Sequence, residues 1–252
     1  MTRAGRASNL RRVRRGCHRW AAPALAALLS VLAAGCGGAD DGPAEEVRLG
    51  EGEPPAAARA TVVAALGDSI TAGSPLYDPD PTVQGSIGAS LDRRSQYAYW
   101  AQRRIPRARF RNCGVFGERT DQIAARLEEC AEGAEVLIVQ GGINDIAQMR
   151  RVRGAARNLR GMVARGRELG MRVALVEVLP WNNGYPGAAR RIRRLNTLIA
   201  DIGRSENVPL FPWYEALDDP ASSGRMKAGW TDDGNHPSVA GYRRLAEVIE
   251  LP

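Results

Sequence analysis

Histidine is almost missing from this chain. Its 252 residues hold two, and because His18 lies in an arginine-rich N-terminal segment, His236 is the one histidine of everything downstream. One imidazole is too few for the usual zinc hydrolase sites, so no metal is expected. Neither common spacing of a glycine-rich phosphate loop occurs, and no cofactor is expected. There is no internal repeat. The apolar run Trp20 to Ala34 has 15 residues, short of the about 20 that a permanent membrane span needs.

A surplus of charge is missing too, once its position is considered. The net charge of +7 comes from 35 basic and 28 acidic residues. Residues 1–35 hold seven arginines (Arg3, Arg6, Arg11, Arg12, Arg14, Arg15, Arg19) and no acids, so 35 − 7 = 28 basic groups face 28 acids in the remainder. That balance argues against a nucleic-acid surface, and no nucleic-acid partner is expected.

The first 35 residues have the parts of a secretory signal: a basic start, a short apolar run, then small residues. Leu32-Ala33-Ala34-Gly35-Cys36 resembles the lipobox of bacterial lipoproteins, in which the cysteine is acylated and becomes the new N-terminus. Leu32 stands one place further from Cys36 than is usual. The expectation is an exported, envelope-bound lipoprotein anchored to the membrane at Cys36, with simple secretion or an uncleaved anchor as alternatives. Residues 36–60 are rich in glycine, proline and acids and have almost nothing to bury, which makes them a tether.

From residue 61 to 252, short apolar runs alternate with helical periodicity, the pattern of a parallel α/β sheet. Strands are expected at 61–66, 107–112, 136–139, 172–179 and 208–211, and helices near 95–105, 120–130, 152–168, 188–204 and 238–250. The arginine-bearing second strand reads as a sheet edge. Residues 74–96 read as a long loop. Five strands with right-handed crossovers give a doubly wound three-layer αβα sandwich, mainly parallel. Ligands bind such sheets outside the carboxyl ends of the strands. Those ends carry the polar motifs: Ser69, Gly117, Asn144, Trp181 to Tyr185, and Asp233 to His236.

Ser69 follows the buried run Val62-Val63-Ala64-Ala65-Leu66 and opens a helix, where backbone N–H groups favour developing negative charge. Asp68, Ser69 and Thr71 could equally be helix caps. A serine hydroxyl becomes a nucleophile when a neighbouring base takes its proton, and His236 is the histidine that could do so. Asp233, three residues earlier, could hold the imidazole tautomer. Acyl transfer also needs oxyanion donors, for which the Gly117 N–H and the Asn144 amide are candidates.

Gly67-Asp68-Ser69-Ile70-Thr71, Gly117, Gly142-Ile143-Asn144-Asp145 and Asp233-Gly234-Asn235-His236 together resemble, in order, the four blocks of the SGNH (GDSL) hydrolase family. The resemblance covers the chain from about residue 61 onward. Phe116-Gly117-Glu118-Arg119 departs from the more usual Ser-Gly-Asp-Thr of the second block. The resemblance implies a flavodoxin-like fold with Ser69 as nucleophile, His236 as base and Asp233 as its orienter. Asp232 is a second candidate for the last role. The Ser69 N–H, the Gly117 N–H and the Asn144 amide would form the oxyanion hole. It further implies hydrolysis of carboxylic esters or thioesters of a lipid, glycan or small molecule. A monomer is expected. A glycan O-acetyltransferase and a catalytically silent glycan-binding lipoprotein are the alternatives on the same fold.

Trp181, Asn182, Asn183 and Tyr185 are expected to rim the pocket, with the 74–96 loop opposite. Cys113 and Cys130 share an oxidising compartment if the chain is exported, and parity suggests a disulfide. Ten helical residues between them would instead hold them about 15 Å apart, too far for one, so the sequence leaves the pairing open.

Overall fold

The computed structural model describes residues 59–252; the export segment, Cys36 and nearly all of the tether lie outside the described residues. The elements run β1 (Thr61–Gly67), α1 (Ser69–Ala72), α2 (Pro81–Ile87), α3 (Tyr97–Arg104), β2 (Ala108–Gly114), α4 (Thr120–Ala125), α5 (Leu127–Ala131), β3 (Val136–Val139), α6 (Ile143–Ala147), α7 (Val152–Glu168), β4 (Arg172–Val176), α8 (Ala188–Glu206), β5 (Leu210–Phe211), α9 (Trp213–Leu217) and α10 (Val239–Glu247). The five strands form one sheet in the order β2-β1-β3-β4-β5 with every pair parallel. The order reverses between β1 and β3, which makes the space beyond their carboxyl ends the switch point where such sheets bind ligands.

The strands are apolar at consecutive positions because both faces are covered. Ala64, Leu66, Leu137, Val139, Val173 and Leu175 point to the side packed by α4, α5, α7 and α8. Their neighbours Val63, Ala65, Val136, Ile138, Ala174 and Val176 point to the side packed by α3, α9 and α10. Side-chain alternation along a strand thus feeds two cores from one run. The long helices obey the complementary rule. The buried residues of α8 include Ile192, Leu195, Ile199 and Ile202, at three- and four-residue spacing.

One expectation is corrected, one helix was not foreseen, and one open pairing is decided. Residues 74–96 are not all loop: Pro81 and the Asp80 side chain, which accepts from Thr82 N–H, start α2 inside them. The short α9, led by the wholly buried Trp213, has too few residues to show a period. Cys113 and Cys130 are bonded, with Cα atoms 6.0 Å apart. The helix that was to separate them breaks at Arg126 into the six-residue α4 and the five-residue α5, so the straight ten-residue path is never travelled. The bond closes a loop with a sequence separation of 17, which restricts the unfolded chain. Replacing both cysteines by alanine is expected to cost about 3 kcal/mol, or about 6–12 °C in Tm for a domain of this size. Calorimetry of the oxidised protein and the double variant checks this; equal Tm values would contradict it.

Candidate functional site

The site begins where β1 ends. Gly67 ends β1 without a left-handed φ, and its glycine identity comes from space: a Cβ would run into the Thr71 hydroxyl and the Gln140 side-chain oxygen. Gln140, the first residue after β3, accepts from Asp68 N–H (3.1 Å) and from Thr71 Oγ1 (2.9 Å). This bond pair locks the β1 turn to the neighbouring strand. Asp68 caps α1 by accepting from Ile70 N–H (2.9 Å), and Ser69 opens that helix with 5% of its surface exposed. With only four residues, α1 offers oriented N–H groups rather than a long helix dipole.

The Asp68 carboxyl is completely buried, and one of its oxygens lacks a partner. Burial is the main cause that pushes its pKa from 3.8 up to about 6, against the opposing bonds from Ile70 and Gln140. Below about pH 4 the group is neutral whether the chain is folded or not. Between about 4 and about 6 only the folded chain keeps the proton, and above that the buried carboxylate is a constant cost. Asp68→Asn should therefore gain stability relative to the parent as pH rises through this window, read as a growing Tm difference. A constant difference would contradict the account.

His236 is delivered by the loop between α9 and α10. Its Nε2 lies 3.1 Å from Ser69 Oγ, and its Nδ1 lies 2.8 Å from Asp233 Oδ2. Asp233 Oδ1 accepts from His236 N–H (2.7 Å) and Asn235 N–H (2.8 Å), so one carboxylate shapes the turn and orients the ring. Burial disfavours the Asp233 charge, but the bonds from His236 and Asn235 together outweigh it and hold the group below the usual carboxylate range. Asp232 is exposed.

The residues expected to rim a pocket sit against this loop. Trp181 Nε1 donates to Asn235 Oδ1 (2.8 Å), Asn183 Nδ2 to the Asp233 carbonyl (2.7 Å), and Asn182 N–H to the Gly234 carbonyl (3.0 Å). Gly234 has a φ of +74° and lies against the Asn183 amide, leaving no room for a side chain. Asn182 also exchanges two side-chain bonds with Met226. The Tyr185 hydroxyl donates to the Ile146 carbonyl (3.1 Å). Their hydrogen-bonding capacity goes largely into bracing the histidine loop.

Of the oxyanion candidates, Asn144 donates one amide hydrogen to the Glu118 carbonyl (2.9 Å) and keeps a second. Gly117 has a φ of +79° in the same turn. Among the described residues, neither its N–H nor that of Ser69 has an acceptor. Asp145 anchors the turn by accepting from both Thr120 N–H and Thr120 Oγ1 (2.9 Å each). Arg126 ties the parts together, pairing with Glu118 (2.7 Å) and donating to the Cys113 and Gly67 carbonyls. Sequence reading missed Arg126 and Gln140. Arg126 carries no signal in a chain so rich in arginine, but a polar Gln140 directly after a buried strand was a visible clue.

A cavity of about 460 Å³ has Val83 of α2, Val115 and Phe116 among its walls together with Asp78, Asp80, Arg111 and Glu129; neither Ser69 nor His236 lines it. The exposed Phe116 ring also stands 6.1 Å from the His236 ring, so this cavity borders the site.

No protein of curated function matches the chain by sequence. Among solved structures, a protein assigned to the G-D-S-L lipolytic family from Desulfitobacterium hafniense DCB-2 superposes with a TM-score of 0.61 at 18% identity, covering 75% of this chain and 97% of that one. An acetylxylan esterase from Geobacillus stearothermophilus gives 0.60 at 21%, covering 75% and 92%. A GDSL-like lipase from Bacteroides thetaiotaomicron VPI-5482 gives 0.59 at 18%, covering 75% and 85%. At these identities the likeness speaks for the fold. The GDSL-like lipase/acylhydrolase family model matches residues 65–244, most of the chain and all four blocks. With that match spanning the serine, the turn at Gly117 and the histidine loop, the chain belongs to the GDSL-like lipase/acylhydrolase family and is an ester-hydrolysing serine hydrolase.

Proposed function

We propose that this enzyme cleaves carboxylic esters through an acyl-enzyme on Ser69, with His236 as the shuttling base and Asp233 as its orienter. The observation that carries this is the unbroken chain from Ser69 Oγ to His236 Nε2 (3.1 Å) and from His236 Nδ1 to Asp233 Oδ2 (2.8 Å). An ionised Asp233 accepts from Nδ1–H, which leaves the Nε2 lone pair facing the serine. As Oγ bonds to the ester carbonyl carbon, its proton passes to Nε2. Collapse of the tetrahedral species breaks the bond to the alkoxy oxygen, which leaves with that proton as the alcohol. Water then attacks the acyl carbonyl, gives a proton to Nε2, and releases the acid and a free serine. The unspent N–H groups of Ser69 and Gly117 and the second Asn144 amide hydrogen are the donors available to the oxyanion. The cleft beside Phe116 offers the acyl chain an apolar wall.

The proposal includes attachment to the cell envelope through an acylated Cys36, outside the described residues, and rests there on the lipobox-like sequence alone. The activity is tested with p-nitrophenyl esters of increasing acyl length together with acetylated sugars. Turnover of at least one series, lost in Ser69→Ala, is expected; turnover equal in parent and variant would refute it.

A further inference from the structure

We propose that the ester substrate carries an anionic group, phosphate or carboxylate, seated in an arginine-lined cavity next to the oxyanion turn. This rests on the reading of Ser69 as the nucleophile. The cavity has a volume of about 530 Å³, and its walls include Arg119, Asp121, Asp145, Arg150, Arg151 and Arg157. Arg119 and Asp145 are the chain neighbours of Glu118 and Asn144, whose mutual bond builds the oxyanion turn. The cavity therefore lies next to that turn along the chain, on residues adjacent to Glu118 and Asn144. The parallel sheet demands the same placement: α7 leaves from β3 and returns to β4, so its first turn lies at the strands' carboxyl end.

The charges there are not balanced from within. Asp121 is paired with Arg119, and both oxygens of Asp145 are taken by Thr120. Among the described residues, Arg150, Arg151 and Arg157 form no ion pair and are exposed. Arg191 reaches over from α8 to the Arg150 carbonyl and the Tyr185 hydroxyl, bringing a further cation to the rim. The first turn of α7 contains no acid. Arginines at the start of a helix oppose its dipole, where acids are the favourable choice. Local rules broken without compensation in the chain point to a ligand that supplies it. Guanidinium groups around an open cavity fit a phosphate or carboxylate through charge-assisted hydrogen bonds. The cavity at Phe116 reaches the site through that ring, 6.1 Å from His236, so a substrate with an acyl chain against Phe116 and a charged remainder among the arginines fits both.

The test compares 1-hexanoylglycerol with 1-hexanoylglycerol 3-phosphate, which share the ester and the acyl chain. The parent enzyme is expected to favour the phosphate ester in kcat/KM by about tenfold, chiefly through KM, as one charge-assisted contact predicts. In Arg150→Gln/Arg151→Gln that ratio should fall toward one. In Arg243→Gln/Arg244→Gln, which removes the same charge from α10, it should persist. Calorimetric titration of the phosphate ester into Ser69→Ala protein, with and without the Arg150 and Arg151 changes, reads binding without hydrolysis. Loss of binding in the arginine variant supports the cavity even if neither ester is cleaved; the Ser69 reading itself is decided separately by the p-nitrophenyl and acetylated-sugar series. Equal kcat/KM for the two esters in the parent, or a preference that survives the Arg150/Arg151 change, overturns the proposal. So does inhibition by inorganic phosphate without any preference between the esters, which would mark a free-anion site.

Discussion

His236→Ala is expected to lower ester turnover by about 10⁶-fold while leaving the protein folded. The loss should be this large because nothing can take over. His236 is the only histidine among the described residues. Asp68, next to the serine, is buried and turns its carboxyl to Ile70 N–H. The folding cost should be small, because the loop is held by the Asp233 bonds to the backbone at 235 and 236 and by the Trp181 and Asn183 braces, none of which needs the imidazole. Initial rates on the best p-nitrophenyl ester, with circular dichroism of the same samples, decide it. Near-parental turnover in a folded variant would remove the proposed mechanism.

The second large effect is expected at Asp233. Asp233→Asn should cost about 10⁴ in turnover, as loss of the orienting carboxylate does in serine proteases. An asparagine keeps an oxygen for the N–H groups of Asn235 and His236, so the turn survives. Its amide nitrogen, however, faces Nδ1 as a donor and favours the tautomer with the proton on Nε2, which no longer accepts from Ser69. Asp232→Asn should change turnover little, because the carboxylate on His236 Nδ1 is that of Asp233. Equal damage from the two changes, in folded proteins, would move the orienting role.

Much of the fold was legible because its signals are strong and local. Helix α7 was expected at 152–168 and occupies Val152–Glu168, since Ala155, Ala156, Leu159, Met162 and Val163 mark its inner face and a left-handed Gly170 follows it. The arginines of β2 announced an edge strand, and β2 is the edge. What escaped was short or relational. The break at Arg126 has no proline or glycine to signal it, because that side chain is recruited by carbonyls 13 and 59 residues away in sequence and by Glu118. The disulfide stayed open in the sequence for the same reason: only the break at Arg126 brings Cys113 and Cys130 within bonding distance. At the site, residue types and order pointed to Ser69, Asp233 and His236, which the structure brings together. Asn182, Asn183 and Trp181 also brace the histidine loop, which the sequence did not show, because an aromatic-polar stretch looks alike whether it faces a ligand, a neighbouring loop or both. Which one it faces depends on Gly234 and Asn235, some 50 residues later in the chain.

The most direct measurement of the central claim is covalent labelling with a fluorophosphonate, located by peptide mass spectrometry. Its phosphorus takes the place of the ester carbonyl carbon and reports which oxygen the site activates. The account predicts a single adduct on Ser69, formed slowly or not at all in His236→Ala and absent in Ser69→Ala. Full labelling of Ser69→Ala at another residue would contradict it.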